Sequence, residues 1–263
     1  MKSQALIAAF DLPDSSLVNQ RVPKKLLLEN GAPTSADKRS INEGIEELIW
    51  IAALKPVTVG VPEFRDESHE YLEIAVLLLT LRDGAKTTRL VELVHRAIPY
   101  PVLLLTQQGA QLSLSVVHKR WSQSEAGKTV LEGDIVSVEW KNEVDSLILV
   151  DFHNSLPLGR QPRTNLSDLY QGWLDSMLAL HAAMVTGSFA LAESAEYAAT
   201  RCDALREYGV LHEEIVRLRT LAAKERQIPR QVELNLEIKR IEAELATTKQ
   251  KLCPNTKRRP SSR

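Results

Sequence analysis

The chain has 263 residues, of which 44% are hydrophobic and 25% charged, and its formal net charge is −1. These values are typical of a globular protein with one or two domains, and they exclude nucleic-acid binding driven by overall charge. The two cysteines and six histidines stand at no metal-ligand spacing. No apolar window is long enough to predict a membrane span. We therefore expect a cytoplasmic protein in a reducing compartment, with no metal and no cofactor.

Residues 1–34 predict a short helix followed by an irregular arm, because Pro13, Pro23 and Gly31 interrupt the pattern. The arm carries a small basic cluster that includes Lys24 and Lys25. These lysines are either the solvated charges of a loop or a contact for a partner or nucleic acid.

Residues 35–152 predict an α+β domain built around one mixed β-sheet with flanking helices. Helical periodicity marks the first segment, in which Ile41, Ile45 and Leu48 share a face. Alternating or continuous apolar runs mark the strands. The predicted elements are helices over 36–54 and 87–98, strands over 57–61, 71–81, 102–106, 112–117 and 136–141, and one more short element over 147–150.

The rest of the chain predicts a linker over 153–164, a helical region over 165–252 and a disordered basic tail over 253–263. From about residue 211 the apolar residues recur at a mean step of 3.5, which is typical of a coiled coil. Such a seam needs a partner helix from the same chain, a second copy or another protein. The seam consists of Leu211, Ile215, Leu218, Leu234, Ile238, Ile241, Leu245 and Leu252.

Pro229 interrupts this seam, so the helix either kinks there or reverses as a hairpin. We favour a kink, because no Gly, Asn or Asp stands between Lys224 and Glu233 to make a turn. Arg226 and Arg230 join Lys224 in a basic stretch around the interruption. This stretch is either a solvated bend or a contact for an acidic partner or DNA.

One pattern suggests a Mg²⁺-dependent nuclease of the restriction type. Glu139 and Lys141 would share a strand face in a Glu-x-Lys arrangement. The second acid that such a site needs would be Asp134, in the preceding turn, or Glu73, on a distant strand. The simpler interpretation makes the Glu-x-Lys pair the solvated face of a strand, and Glu73 either an acid paired with an arginine or an acid at a sheet edge.

A basic patch with an adjacent aromatic side chain is expected at His118, Lys119, Arg120 and Trp121. Positive groups beside an aromatic ring suit contact with a phosphate backbone. The alternative is a strand end in which Trp121 packs on the sheet and the charges are solvated.

The chain resembles the domain-of-unknown-function 4391 family of bacterial and archaeal proteins. Short matching pieces occur in the family's order at Asn19, 22–25, 45–50, 55–56, 73–74, 98–101, 118–120, 224–227 and 232–235. The resemblance implies no established activity. It implies an association with helicase and DNA-methyltransferase genes of restriction or phage-defence clusters, and hence an accessory role.

Three hypotheses follow from the sequence. The first is a non-catalytic interaction subunit that uses its coiled coil to bind a helicase or methyltransferase partner, or itself. The second is a nuclease-like or DNA-binding protein. The third is an isolated self-packing domain, in which the coiled coil folds on the helix that contains Trp173 and leaves no exposed seam.

Overall fold

The computed structural model describes residues 3–125, 127–140 and 146–253. The chain forms two compact units, Met1–Met177 and Leu178–Arg263. The first unit holds a six-stranded mixed sheet with flanking helices, which confirms the α+β prediction. No described helix is both long and apolar enough to cross a membrane.

The helix Thr87–Ala97 and the strands Ile74–Leu81, Val102–Gln108 and Gln111–Trp121 lie near their predicted positions, whereas the strand predicted over 136–141 begins at Thr129 and several other elements differ in type. Short 3₁₀ helices at Asp14–Ser16 and Leu158–Arg160 complete the unit. In chain order the elements are α1 (Ser3–Ala9), β1 (Leu17–Arg21), α2 (Lys24–Asn30), α3 (Ser35–Gly44), β2 (Ile45–Leu54), α4 (Pro56–Val59), β3 (Phe64–Arg65), β4 (Glu70–Tyr71), β5 (Ile74–Leu81), α5 (Thr87–Ala97), β6 (Val102–Gln108), β7 (Gln111–Trp121), β8 (Thr129–Glu139), α6 (Ser146–Ser155) and α7 (Leu166–Thr186), whose last residues belong to the second unit.

The main sheet has the strand order β1-β2-β5-β6-β7-β8. Its β5 and β6 are parallel and joined by the α5 crossover, whereas every other neighbouring pair is antiparallel. The central β5 is almost continuously apolar and buried, as expected for a strand covered on both faces. Strands β3 and β4 form a separate two-stranded sheet.

One face of the sheet packs against α2, α3 and α5. The shared core includes Leu27, Ile41 and Leu90 from the helices, with Leu77 and Leu104 from the strands. An ion pair of 2.8 Å between Arg89 and Asp37 also joins α5 to α3. This face therefore combines apolar burial with a fixed helix-to-helix contact.

The helix predicted over 36–54 is wrong beyond Gly44. The chain leaves α3 at this glycine, where an added Cβ would lie 2.8 Å from the Leu90 side chain. The segment Ile45–Leu54 is instead β2, which pairs with β1 on one side and β5 on the other. Because a strand between two neighbours is apolar on both faces, its sequence also fits a helical period, and pairing decides the outcome.

Two other local predictions are also wrong. The predicted strand over 57–61 begins as the short helix α4, because Pro56 suits a first helical turn and the Thr58 hydroxyl accepts from the Lys55 amide. The predicted irregular arm contains β1 and α2. The unassigned short element over 147–150 lies within α6.

The second unit contains two long helices, α8 (Ala195–Lys224) and α9 (Ile228–Leu252). Contacts between them show that the chain reverses, so the predicted kink at Pro229 is wrong. Arg219 pairs with Glu242 at 2.7 Å, and Lys251 pairs with Glu207 at 3.0 Å. Pro229 lies in the first turn of α9, where a helix needs no backbone N–H donor.

The predicted seam closes within this helical hairpin. Leu218 and Ile215 of α8 form a buried cluster with Ile238 and Ile241 of α9. Leu211, Leu234 and Leu245 pack against its margins, and Leu252 is buried near the end of α9. The seam therefore finds its partner helix in the same chain, while supercoiling of the two helices stays a prediction.

Candidate functional site

The sheet register separates the acids proposed for a nuclease site. Across the sheet, Glu139 pairs with Ser113, Ser113 with Thr106, and Thr106 with Leu79, so Glu139 and Leu79 lie in the same row of the sheet. Glu73, by contrast, immediately precedes β5. Six residues of strand separate these rows, which corresponds to roughly 20 Å. Carboxylates that share a Mg²⁺ ion must both lie within a few ångströms of it. These two acids are therefore not brought together.

The other proposed acid lies on the same edge strand as Glu139. Asp134 is exposed and follows Gly133, at a break in the register of β8 with β7. Five residues of strand, or about 17 Å, separate it from Glu139. Lys141 lies outside the described residues. Within the described parts of the chain, no group of three or more His, Cys, Asp or Glu side chains is arranged to hold a metal ion.

Glu73 has a defined partner. Its side chain is buried, and its carboxylate lies 3.1 Å from the amine of Lys55, which follows β2. An ion pair of this kind relieves the cost of burying a carboxylate. The sequence led us to expect an arginine partner or a place at a sheet edge, whereas the partner is Lys55 and the strand that follows Glu73 lies inside the sheet.

The basic patch predicted on β7 does not form one surface. Successive side chains of a strand point to opposite faces, and His118 and Lys119 follow this rule. The His118 imidazole contacts Gln171 of α7, whereas the Lys119 amine donates to the carbonyl of Ile98, where α5 ends. Lys119 is only 4% exposed. Arg120 donates to the carbonyl of Trp121. Binding of nucleic acid by these residues stays a prediction.

His118 belongs to a chain of hydrogen bonds that the sequence did not reveal. Tyr71 donates to His118 Nδ1, and His118 Nε2 donates to Gln171 Oε1 at 2.7 Å. Gln171 in turn donates to Asp175 at 2.8 Å, which fixes its amide. Burial lowers the pKa of His118, because it opposes the charged imidazolium. The arrangement positions a neutral histidine between a tyrosine and an amide.

A second histidine, His69, lies nearer the surface, and its pKa is shifted in the opposite direction to that of His118. His69 Nε2 lies 2.9 Å from Glu132 of β8, and its Nδ1 lies 3.0 Å from Asp66. Partial burial opposes the charged form, but the hydrogen bonds to the two carboxylates outweigh it and raise the pKa of His69. The imidazolium therefore ties the β3–β4 turn to the edge strand. Because His69 and Glu132 are far apart in the sequence, no local pattern predicts their contact.

Lys119 has a polar neighbourhood on the α5 side of the sheet. Burial lowers its pKa to about 7. On α5, His95 is fully buried, and its Nε2 lies 2.9 Å from the Ser115 hydroxyl. Burial, followed by the charge of Lys119, lowers the pKa of His95 to about 3. These groups are enclosed by core side chains, and a structural role accounts for their contacts.

The two lysines of the N-terminal cluster differ in role. Lys24 is half-buried and donates to the carbonyls of Ile45 and, at 3.1 Å, Asn42 at the end of α3. Burial, followed by the charges of Arg82 and Arg21, lowers its pKa. Lys25 is exposed and lies 3.6 Å from Glu29. Lys24 therefore stabilises a helix end, as a cation at this position should.

The basic stretch of the second unit lies at the tip of the helical hairpin. Lys224 ends α8, and Arg226 stands in the turn, where the Glu225 carboxylate accepts from the Arg226 and Gln227 amides at 2.7 and 2.9 Å. Arg230 pairs with Glu233 at 2.8 Å. The structure thus brings together the three basic residues predicted here.

Beside this tip, α9 exposes a second apolar row. Ile228, Val232 and Leu236 are 74%, 52% and 62% exposed. Their spacing of four residues places them along one side of the helix. This row is distinct from the seam, whose residues Ile238 and Ile241 are buried against α8. We call these three residues the tip stripe.

These features define an α+β protein with a mixed sheet and a helical hairpin, and the tip of this hairpin carries exposed basic side chains and the start of the tip stripe. The chain belongs to the family described as Domain of unknown function (DUF4391), whose model matches residues 10–245. No curated protein and no solved structure matches the chain.

Proposed function

We propose that the chain is a non-catalytic interaction subunit that binds a protein partner through the tip of its helical hairpin. The partner we propose is a helicase or methyltransferase subunit of a DNA-processing defence complex. The observation that carries the interaction role is the tip stripe, three large apolar side chains left exposed on a hairpin whose own seam is already closed.

The two apolar rows of α9 differ in their contacts, because the seam packs against α8 and the tip stripe is exposed. Scattered exposed apolar residues are ordinary, whereas a contiguous row more often marks an interaction surface. Ile228, Val232 and Leu236 recur on one side over two turns, so they form such a row. Helical folding of the hairpin does not require this row, because the seam supplies its buried contacts.

Charge indicates the chemistry of the partner surface. Lys224 and Arg226 are exposed where the tip stripe begins, and Arg230 is exposed in the first turn of α9, on another side of the helix. A complementary surface would place an apolar groove against the stripe and acidic residues at its rim. Helix-in-groove binding uses anchors spaced in this way.

The experiment is light scattering of the full chain, alone and after co-expression with candidate helicase and methyltransferase subunits. The test variant carries Ile228→Asp and Val232→Asp. The matched control is Val57→Asp in the first unit, since Val57 is 90% exposed and receives the same kind of change.

We expect the parent and Val57→Asp to co-purify with one of these subunits, and the double variant to be recovered alone with unchanged helical circular dichroism. Retention of the partner by the double variant would contradict the proposal. Recovery of the parent as a lone monomer under all conditions would also contradict it. A parent dimer that the double variant loses would assign the stripe to a second copy instead.

A further inference from the structure

We propose that His69 is a pH-operated latch that holds the β3–β4 hairpin against the edge strand β8 at mildly acidic pH and releases it as the pH rises above neutrality. The hairpin consists of Phe64–Arg65, Glu70–Tyr71 and the turn between them, and we call residues 64–71 the strap. Its own ladder has two residue pairs. Because a two-stranded hairpin is marginally stable in water, contacts with the main sheet determine whether the strap stays closed.

Contacts of two kinds hold the turn of the strap against the main sheet. The Trp121 amide, at the end of β7, donates to the carbonyl of Ser68 at 2.7 Å. His69 Nε2 lies 2.9 Å from the Glu132 carboxylate of β8. The first contact is a backbone hydrogen bond and does not titrate, whereas the second depends on the charge of the imidazole.

The His69 imidazole lies between two carboxylates, and this position makes the latch sensitive to protonation. Nδ1 lies 3.0 Å from each carboxylate oxygen of Asp66, while Nε2 faces Glu132. An imidazolium donates from both nitrogens, whereas a neutral imidazole has one donor and one acceptor. In the neutral form one nitrogen therefore directs its lone pair at a carboxylate, and that contact is lost.

The contact that deprotonation removes is the one to Glu132. The Asp66 carboxylate is fixed within the turn, because it also accepts from the Ser68 and His69 amides at 2.7 and 2.6 Å. The remaining proton therefore stays on Nδ1, and Nε2 becomes the acceptor. The Glu132 side chain is 43% exposed, so its carboxylate can move away from Nε2 into water. Deprotonation of His69 thus separates the strap from β8.

The groups around His69 favour its charged form. Partial burial opposes the imidazolium, but the Glu132 and Asp66 carboxylates outweigh it and raise the pKa of His69 above its ordinary value of 6.5. Burial lowers the pKa of the neighbouring His118, so that ring is neutral and does not repel the imidazolium. Other charged or titratable groups of the strap, β7 and α7 include Arg65, Glu67, Glu70, Tyr71, Arg120 and Asp175. The stabilisation of the closed strap by His69 is therefore fully present below pH 6.5 and is lost as the pH rises through the raised pKa.

The test combines two measurements on the full chain. A proton NMR titration of the imidazoles gives the midpoint of His69, whose resonance is assigned by its absence in His69→Gln. Hydrogen exchange of the strap amides at about pH 6 and about pH 8.5, corrected for the intrinsic exchange rate, reports closure on either side of that midpoint. We expect a His69 midpoint above 6.5 and a loss of strap protection at the higher pH.

Glu132→Gln removes the partner of the latch, and Glu139→Gln, further along the same strand, is the matched control. We expect Glu132→Gln to lower the His69 midpoint and to remove the pH dependence of strap protection, and the control to behave as the parent. A parent midpoint at or below 6.5, or one that Glu132→Gln leaves unchanged, would overturn the latch. Equal strap protection of the parent at both pH values would overturn the release, and these parent measurements do not depend on the folding of any variant.

Discussion

The His118 imidazole and the Lys119 amine, on adjacent residues of β7, lie on opposite faces of the sheet and have different polar partners. His118 is hydrogen-bonded to Tyr71 and Gln171, and Lys119 to the carbonyl that ends α5. A stretch that looks like one basic surface in the sequence is thus divided between two helical layers. The contribution of this stretch to folding can therefore be tested separately from any contribution to binding.

Lys119→Met should change how stability depends on pH. The folded pKa of Lys119, about 7, is below the unfolded value of 10.5, so between these values the folded state binds fewer protons. The free energy of unfolding of the parent should therefore rise with pH in this window, by at most about 1.4 kcal/mol per unit. Below the window the penalty for the buried charge is fully present. Urea midpoints measured across it should rise less in the variant, and equal slopes would contradict the prediction.

Lys24→Ala and Lys25→Ala form a matched pair. Loss of the Lys24 amine leaves the carbonyls of Ile45 and Asn42 without this donor, so we expect a loss of about 1–2 kcal/mol in the free energy of unfolding. Lys25→Ala should change it by less than about 0.5 kcal/mol. Chemical denaturation measures both. If the cluster instead acts mainly as a phosphate contact, the two variants would lose equal retention on a DNA fragment and would be equally stable.

Ile238→Ala and Leu236→Ala should separate the two apolar rows of α9. Ile238 is 7% exposed in the seam, and its truncation should cost about 2 kcal/mol or more. Leu236 is 62% exposed, so its truncation should cost less than about 0.5 kcal/mol. Thermal melts followed by helical circular dichroism measure the difference. Similar melting temperatures for the two variants would mean that the seam does not hold the hairpin together.

The purified chain should not cleave DNA when Mg²⁺ is added. The proposed acids Glu73 and Glu139 are roughly 20 Å apart along the strand direction, too far to share a metal ion. The measurement compares the parent with Lys141→Ala on linear and supercoiled DNA. Mg²⁺-dependent cleavage that the variant loses would support the nuclease hypothesis and contradict this prediction.

Much of the fold could be predicted because burial and periodicity agree along most of the first unit. The apolar run of β5 and the amphipathic face of α5 are local signals. The type of Ile45–Leu54 could not be predicted from this pattern, because its central place in the sheet depends on pairing with β5 and β1. Pairing with strands distant in the sequence thus determines that this segment is a strand, which local periodicity alone does not.

The reversal of the chain near Pro229 could not be predicted from the sequence for a different reason. We expected a turn to need Gly, Asn or Asp, but the Glu225 carboxylate supplies the acceptor for the turn amides. The seam residues themselves were predictable, whereas their direction was not, since a repeat of 3.5 residues fits parallel and antiparallel partners alike. The His69–Glu132 contact was beyond prediction, because it depends on the register of an irregular edge strand.

The parallel pairing of β5 with β6 has a consequence for the order of folding. These strands cannot close as a tight turn and must wait for the α5 crossover, so the sheet forms through distant contacts and slowly. The helical hairpin can close from its tip, where Gln231 reaches the carbonyl of Ala222 nine residues away. On refolding of the full chain from denaturant, the second unit should therefore acquire its structure within microseconds to milliseconds, ahead of the sheet of the first unit.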